Sequence, residues 1–287
     1  MRHYKRPLTI GRANLDYRLN NHHSLNLNYL LSRIGNDRYD EADTDFEASN
    51  DILAKHVTGF SYNQSLLEEK MSNTFFVKNY INHLNIRQTD LSSITGSKDV
   101  KGTITKKYWG YGIGSRYTAI EPLSIKISYE HSVRLPLARE LLGNGTTIYA
   151  NVALKPESSD NINLGIFGTW HPAPGHTLYY EANGFLRYVD DYIQATVETK
   201  EGMMQYKNVP AVHIKGIEGE VRYDWQSKLQ LATNVSFQEA RDQNRYKTDG
   251  KPSATYNNRY PTAPGSSEVQ KQAIFSTMWF CPKANYG

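Results

Sequence analysis

Apolar and polar residues alternate with a period of two along much of the chain. In 123–130, Leu, Ile, Ile and Tyr alternate with Ser, Lys, Ser and Glu, and the same alternation recurs in 25–31, 109–113, 178–188 and 229–238. This period places successive side chains on opposite faces of a β-strand, and no amphipathic helix of useful length is visible. An all-β chain is therefore predicted. The ten predicted strands are about 8–19, 23–33, 54–63, 72–87, 104–118, 122–133, 161–170, 177–189, 212–223 and 228–239.

The connections between these predicted strands alternate strictly between short and long. The short ones are 20–22, 64–71, 119–121, 171–176 and 224–227. The long ones are 34–53, 88–103, 134–160, 190–211 and 240–260. Short turns at one rim and long loops at the other are typical of outer-membrane β-barrels. Such long loops are uncommon in compact soluble domains unless they have a function.

The predicted strands also have the length and the aromatic residues of a membrane barrel. Several reach about 11–16 residues, whereas strands of globular sheets usually have about 5–6. Aromatic rings near strand ends suit the interfaces of a bilayer, although aromatic residues favour strands in any case. The candidate girdle residues are Tyr108, Trp109, Trp170, Tyr188, Tyr223 and Trp225.

Composition excludes several classes of protein. The 287 residues include 21 Tyr but no apolar run near the roughly 18 residues of a membrane helix. A net charge of +4 is spread over 33 basic and 29 acidic residues without a basic cluster, so nucleic-acid binding is not predicted. The single cysteine, Cys281, cannot form an internal disulfide.

No set of residues predicts catalysis, a cofactor or a metal site. The nucleophile-elbow, phosphate-loop, dinucleotide and zinc-protease motifs are absent. Asp190 and Asp191 are adjacent, so on a strand they point to opposite faces, and the start of a loop is the favoured interpretation. His171 and His176 lie across a short turn but lack the further ligands that a zinc site needs. We therefore expect neither an enzyme nor a metalloprotein.

Three blocks of residues occur in the order found in one known family. The first combines R-x-P, an acidic residue, N-x-x-L-x-P-E and a strand glycine, and the others are an aromatic strand, 179–193, and Y-x-N followed by G-x-E. These blocks resemble the C-terminal half of TonB-dependent outer-membrane receptors and cover about 129–264. The motif residues are Arg134, Pro136, Glu140, Asn151, Leu154, Pro156, Glu157, Gly165, Tyr206, Asn208, Gly216 and Glu218.

The resemblance implies an antiparallel up-and-down transmembrane β-barrel in the outer membrane of a Gram-negative bacterium. About ten of its 22 strands are expected here, in 1–260, with a truncated or aberrant segment in 261–287. Signal peptide, energy-coupling box and plug domain are not visible, so a gene fragment or a disrupted reading frame is expected. The implied partners are outer-membrane lipid, TonB through the missing N-terminal region, and a siderophore, cobalamin or oligosaccharide ligand. Without a plug, the chain is not expected to transport.

Structural roles are the favoured interpretation of the motif residues. Pro156 biases Lys155 toward an extended backbone at the start of a strand. Gly216 and Gly219 are expected to mark a bend or a close backbone approach. Glu218, Glu220 and Arg222 are expected to share one face, directed into the lumen toward the plug, and ligand-binding residues are not assigned.

Two other classes of protein remain open at this point. A soluble, secreted β-sandwich or solenoid that binds carbohydrate would also have alternating strands and exposed aromatic residues. It predicts shorter strands, irregular loop lengths and solubility without detergent. A passive porin-like channel would share the barrel but not the ordered motifs.

Overall fold

The computed structural model describes residues 2–40, 49–90, 98–144, 147–198, 202–226, 228–246, 251–259 and 271–274. The strands are β1 (Arg2–Lys5), β2 (Leu8–Asn20), β3 (His23–Asp40), β4 (Ser49–Leu66), β5 (Met71–Asp90), β6 (Lys98–Ile120), β7 (Leu123–Arg134), β8 (Ile148–Tyr149), β9 (Glu157–Trp170), β10 (His176–Glu198), β11 (Met203–Trp225), β12 (Leu229–Asp242) and β13 (Lys271–Ile274), with one short helix, α1 (Ala138–Leu142). No helix in these ranges is long and apolar enough to cross a membrane.

The long strands form one antiparallel sheet in sequence order. β1 and β2 both pair with β3, and the path continues through β4, β5, β6, β7, β9, β10, β11 and β12 to β13. The exception to the antiparallel order is the two-residue β8, which pairs in parallel with β11. From β2 to β12, neighbouring strands of the sheet are thus consecutive in sequence, with a longer excursion between β7 and β9. The predicted up-and-down antiparallel arrangement is confirmed.

All ten predicted strands are present, but they are longer than predicted at the ends that lead to the long connections. The strand predicted at 177–189 is β10, which extends to Glu198, and the one predicted at 212–223 is β11, which begins at Met203. The connection between them shrinks to 199–202, no longer than the turn at 67–70. The strict alternation of short and long connections is therefore wrong at this hairpin.

Asp190 and Asp191 do not begin a loop, because both lie within β10. Asp191 has a positive φ of 53° and lies opposite Pro210 in the hairpin. Proline cannot donate to the ladder, so the pairing loses a bond at this point. The local change of backbone conformation occurs inside a continuous strand, and the expected loop is absent.

The sheet has two chemically different faces. Paired residues share a face, so Ile127 of β7 lies beside Leu164 of β9 on what we call the outer face, and both are exposed. Their sequence neighbours Ser128 and Asn163 lie side by side on the opposite, inner face. The α1 helix and the long connection that contains it pack on the inner face through Leu53 and Leu84.

Charged residues on the outer face lie well away from the short turns. Within the described residues, the first such charge on five of the strands lies ten or more positions from the strand end at the short turn. These charges are Arg33, Lys107, Asp160, Lys215 and Glu239. Ten residues of strand rise about 34 Å, which a tilt of about 45° reduces to about 24 Å, the height of a transmembrane apolar band. The outer face therefore has the dimensions of a bilayer-facing wall.

The aromatic residues proposed for the girdles divide between the two faces. Trp109, Trp170, Tyr188 and Trp225 are exposed on the outer face, as expected for interfacial rings. Tyr108 is different, because it pairs with Tyr80 on the inner face and is half-buried. Adjacent residues of a strand point to opposite faces, so Tyr108 and Trp109 cannot belong to the same girdle. The prediction for Tyr108 was wrong.

The segment 261–287 is described only at Lys271–Ile274, which pairs antiparallel with 234–237 of β12. Cys281 lies outside the described residues. The proposed division of the chain at residue 260 stays a prediction.

Candidate functional site

Ion pairs on the inner face cross from one strand to the next but one. Lys126 Nζ on β7 lies 2.5 Å from Glu181 Oε1 on β10, with β9 between them. Gly165 occupies the crossing point on β9, where an added Cβ would lie 2.8 Å from Lys126 Cε and would collide with Asn183 Oδ1. The motif glycine Gly165 is thus required so that a lysine side chain can pass over its strand.

Two further glycines lie beneath aromatic rings of the neighbouring strand. Phe185 on β10 covers Gly216 on β11, and an added Cβ there would collide with the ring and lie 2.5 Å from Phe237 O. Phe76 covers Gly112 in the same way. The close approach expected at Gly216 is confirmed, whereas the nearest atom to a Cβ at Gly219 is Glu181 O at 3.7 Å, an ordinary contact.

Carboxylates are concentrated on the inner face of β10 and β11. Glu218, Glu220 and Arg222 share this face, as predicted, and Arg222 Nε lies 2.9 Å from Glu220 Oε1. An open cavity of about 330 Å³ is lined by Glu181, Glu218 and Glu220 together with Asn183, Asn234 and Ser236. Glu218 forms no ion pair within the described part of the chain, so its charge is free to meet a group in the lumen.

The connection between β7 and β9 folds onto the inner face, and we call residues 135–156 the inserted loop. Its α1 helix supplies Leu141 and Leu142, which are almost completely buried. These residues join one apolar cluster with Leu53 of β4, Leu84 and Ile86 of β5, Leu154 of the loop itself and Ile193 of β10. The loop therefore connects β4 and β5 with β10, strands that are far apart in the sheet.

Arg134, at the end of β7, holds both ends of the inserted loop. Its guanidinium lies 3.2 Å from Glu140 Oε1 in α1 and 2.8 Å from Glu157 Oε1 at the start of β9. Glu140 also accepts a hydrogen bond from the Leu137 amide, and Glu157 accepts one from the Ile193 amide. Charge-assisted bonds of this kind are among the stronger contacts in proteins. The motif residues Arg134, Glu140 and Glu157 thus form one clamp.

Two asparagines fix the second half of the inserted loop to β11. Asn151 Nδ2 donates to Tyr206 O at 2.8 Å. Asn208 Oδ1 accepts from the Lys155 amide at 2.9 Å, and its Nδ2 donates to Lys155 O at 2.9 Å and to Asp191 O at 2.7 Å. Asn208 therefore satisfies backbone groups at the point where Asp191 departs from regular strand geometry.

Residues that the sequence did not single out complete the clamp on the other side. Lys55 of β4 donates hydrogen bonds to Pro136 O and, at 3.4 Å, to Leu135 O. Arg6, between β1 and β2, donates to Gly143 O at 2.5 Å. These partners are separated by 80 or more positions in sequence, so no local pattern could have indicated them.

Of the two histidines considered for metal binding, His176 has aromatic partners. His176 Nδ1 lies 2.6 Å from Tyr223 Oη, and its ring stacks on Trp225. Within the ranges that the structure describes, no group of three or more His, Cys, Asp or Glu residues is placed to hold a metal ion. The ordered chemistry of the inner face consists of ion pairs, amide clamps and rings that cover glycines.

An antiparallel sheet with an apolar outer face, a charged inner face and a loop folded onto that inner face defines the wall of a transmembrane β-barrel. The sequence model of the TonB-dependent receptor-like β-barrel matches residues 73–267. The chain belongs to this family. The match begins well before residue 129, where the recognisable motifs start. A search of curated proteins found no match.

Solved structures with the same fold are receptors and transporters. The copper transporter OprC has a TM-score of 0.67 at 14% identity and covers 86% of this chain. The iron transporter FrpB of Neisseria meningitidis (F3-3 variant) has a TM-score of 0.61 at 16% identity and covers 88% of this chain. The Serratia marcescens hemophore receptor HasR has a TM-score of 0.57 at 16% identity and covers 82% of this chain. This chain spans 39%, 38% and 42% of those proteins, respectively. At such identities the likeness concerns the fold.

Proposed function

We propose that the chain is the barrel wall of an outer-membrane receptor that takes up a scarce nutrient with energy supplied through TonB. The observation that carries the membrane part of the proposal is the outer face, which is largely apolar and, on five strands, has no charge within about ten positions of the short turn. A soluble protein would not expose Ile127, Leu164 and Ile166 side by side on one surface. Within the described residues, no second sheet covers them.

The inner face supports the receptor part of the proposal. A passive channel needs an open lumen, but here the inserted loop crosses the inner face near the rim of the longer connections. The carboxylate of Glu218 remains available to a domain seated in the lumen, and Glu220 beside it is paired with Arg222. We propose that these carboxylates face the plug of the complete receptor, and that TonB acts through that plug.

The cargo is proposed as a siderophore, cobalamin or oligosaccharide. Proteins named as transporting copper and iron, as a hemophore receptor and as a ferric-catecholate import receptor share the fold. These names favour a metal chelate over a sugar. The chain would supply wall and inserted loop but not transport by itself, since it spans about two fifths of the relatives.

Detergent dependence tests the membrane assignment. The chain is purified unfolded and diluted either into dodecylmaltoside micelles or into detergent-free buffer, and circular dichroism and light scattering are measured. Strand-rich, monodisperse protein is expected only with detergent, because the outer face needs an apolar environment. Monodisperse folded protein in plain buffer would favour the secreted carbohydrate-binding alternative instead.

Binding and uptake are measured separately. Thermophoresis in micelles is carried out with a ferric catecholate siderophore, cyanocobalamin and maltohexaose as probes. Cells that export the chain are then tested for uptake of the same three compounds. We expect weak binding of one metal chelate and no uptake, and uptake at the level of an intact receptor would refute the proposal that the chain is wall alone.

A further inference from the structure

Three cations surround one carboxylate on the outer face of β11 and β12, about ten positions from the short turn that joins these strands. Arg241 Nη2 and Arg259 Nε each lie 2.8 Å from Glu239 Oε1, and Lys215 Nζ lies 3.7 Å from Glu239 Oε2. Glu239 is almost buried among them, with a side chain 9% exposed. One carboxylate balances one cation, so this cluster retains two positive charges.

A cavity of about 200 Å³ adjoins the cluster on the same face. Its lining includes the carboxylate of Glu239 together with Arg187, Tyr188, His213, Lys215 and Arg241. The rings of Tyr188 and His213 meet edge to face at 4.6 Å between centroids. Lys215 and Arg241 therefore place positive charge at the wall of a space large enough for a small anion. The net positive charge of the cluster therefore lies at the wall of the cavity.

The outer-face residues that follow the cluster in the direction of the short turn are apolar and exposed. One pleat below Lys215 and Glu239 lie Ile217 and Phe237, with Ile217 64% exposed. Beside them, Gly184 and Gly219 have no atom closer than 4.0 and 3.7 Å to an added Cβ, so neighbouring atoms do not require glycine there. The missing side chains leave a shallow groove along the apolar band, directly beneath the charged cavity.

Position in the membrane indicates what this surface meets. Lys215 lies ten positions from Trp225, at the upper border of the apolar band, where lipid headgroups lie. Other outer-face cations at that height, Arg33 and Lys107, have uncharged neighbours in register. Basic pockets at a membrane border attract anionic headgroups by about 1 kcal/mol per Lys or Arg.

We infer that the cavity between β10, β11 and β12 binds an anionic, phosphate-bearing lipid of the membrane. The headgroup phosphate contacts Lys215 and Arg241, with Arg259 beside them, and an acyl chain lies over the groove beside Ile217. This inference rests on the proposed membrane location. It concerns the outer face only and is independent of the cargo and of TonB.

The test compares two short-chain lipids with the full chain in dodecylmaltoside micelles. Dihexanoyl phosphatidylglycerol and dihexanoyl phosphatidylcholine are titrated by calorimetry at low salt. Two cations predict that the anionic lipid binds about 30-fold more tightly. Lys215→Gln/Arg241→Gln should reduce this ratio to near one, whereas Arg33→Gln/Lys107→Gln, with the same change in net charge, should leave it unchanged.

Further arms separate the possible outcomes. Glu239→Gln removes the balancing carboxylate and should raise the ratio, an increase that a misfolded variant would not give. Equal loss in both double variants, or displacement of the lipid by an equal concentration of inorganic phosphate, would overturn the inference. A chain that folds only in detergent but shows no lipid preference would contradict the lipid site while leaving the proposed function intact.

Discussion

Replacing Arg134 with methionine should release the inserted loop from the sheet while leaving the barrel wall intact. The change leaves two carboxylates without their cation, and their side chains are only 5% (Glu140) and 13% (Glu157) exposed. Breaking a buried ion pair costs about 3–5 kcal/mol, and exposed pairs are worth less than about 1 kcal/mol. Arg134 itself is 41% exposed, so we expect an intermediate loss of about 2 kcal/mol in the free energy of loop docking.

Hydrogen exchange of the inserted loop, followed by mass spectrometry, measures this loss directly. The Leu141 amide bonds to Leu137 O and the Asn151 amide to Leu141 O, so both report on docking. A loss of about 2 kcal/mol predicts roughly 30-fold faster exchange in Arg134→Met. Exchange within about threefold of the unmodified chain would refute the clamp, since such a change is near 0.6 kcal/mol.

A matched control uses the ion pair between Lys78 and Glu130, which lies on the same face but does not contact the loop. These side chains are 37% and 33% exposed, so Lys78→Met should cost less than about 1 kcal/mol and leave exchange of the loop unchanged. Adding Glu140→Gln and Glu157→Gln to Arg134→Met should restore part of the protection, because the unpaired charges are then removed. Equal acceleration by Lys78→Met would mean that the loop responds to general loosening of the sheet.

Further substitutions test the two faces and the second clamp. Gly216→Ala should lower the free energy of unfolding in urea by about 1–3 kcal/mol, because its Cβ meets the ring above it, while Gly219→Ala on the same strand should change it little; equal values would contradict the ring-over-glycine contact. Leu164→Arg at the middle of the apolar band should cost about 2–4 kcal/mol of folding into lipid vesicles, whereas Asn163→Arg on the inner face should be tolerated, and the reverse order would exchange the two faces. Asn208→Ala removes three hydrogen bonds to backbone groups, which should cost about 1–3 kcal/mol and accelerate amide exchange at the end of the inserted loop; unchanged exchange there would show that the loop is held elsewhere.

The strands could be predicted from sequence where one face meets lipid and the other meets water, because lipid selects apolar residues and water selects polar ones. That selection produces the alternation in 123–130 and 178–188. Above the bilayer both faces of a hairpin meet water, and the alternation fades. The sequence therefore predicts loops at the ends of β10 and β11, 190–198 and 203–211, although their ladder continues.

The clamp could be predicted only as a set of family residues. Its geometry depends on register and on contacts between distant parts of the chain, such as Lys55 with Pro136. The role of Gly165 shows the same limit, because it becomes clear only when Lys126 and Glu181 are placed on either side of it. The glycines in the sequence predict a close approach of another group to the strand, but they do not identify the side chain that approaches.

The inserted loop also constrains the order of folding. Its apolar cluster joins Leu53 with Leu141 and Ile193, contacts of very high sequence separation that form slowly because long chain segments must first close. Docking therefore requires that the hairpins of β4 with β5 and of β10 with β11 already be positioned. The loop would then be among the last parts to settle, and its burial would mark completion of the wall.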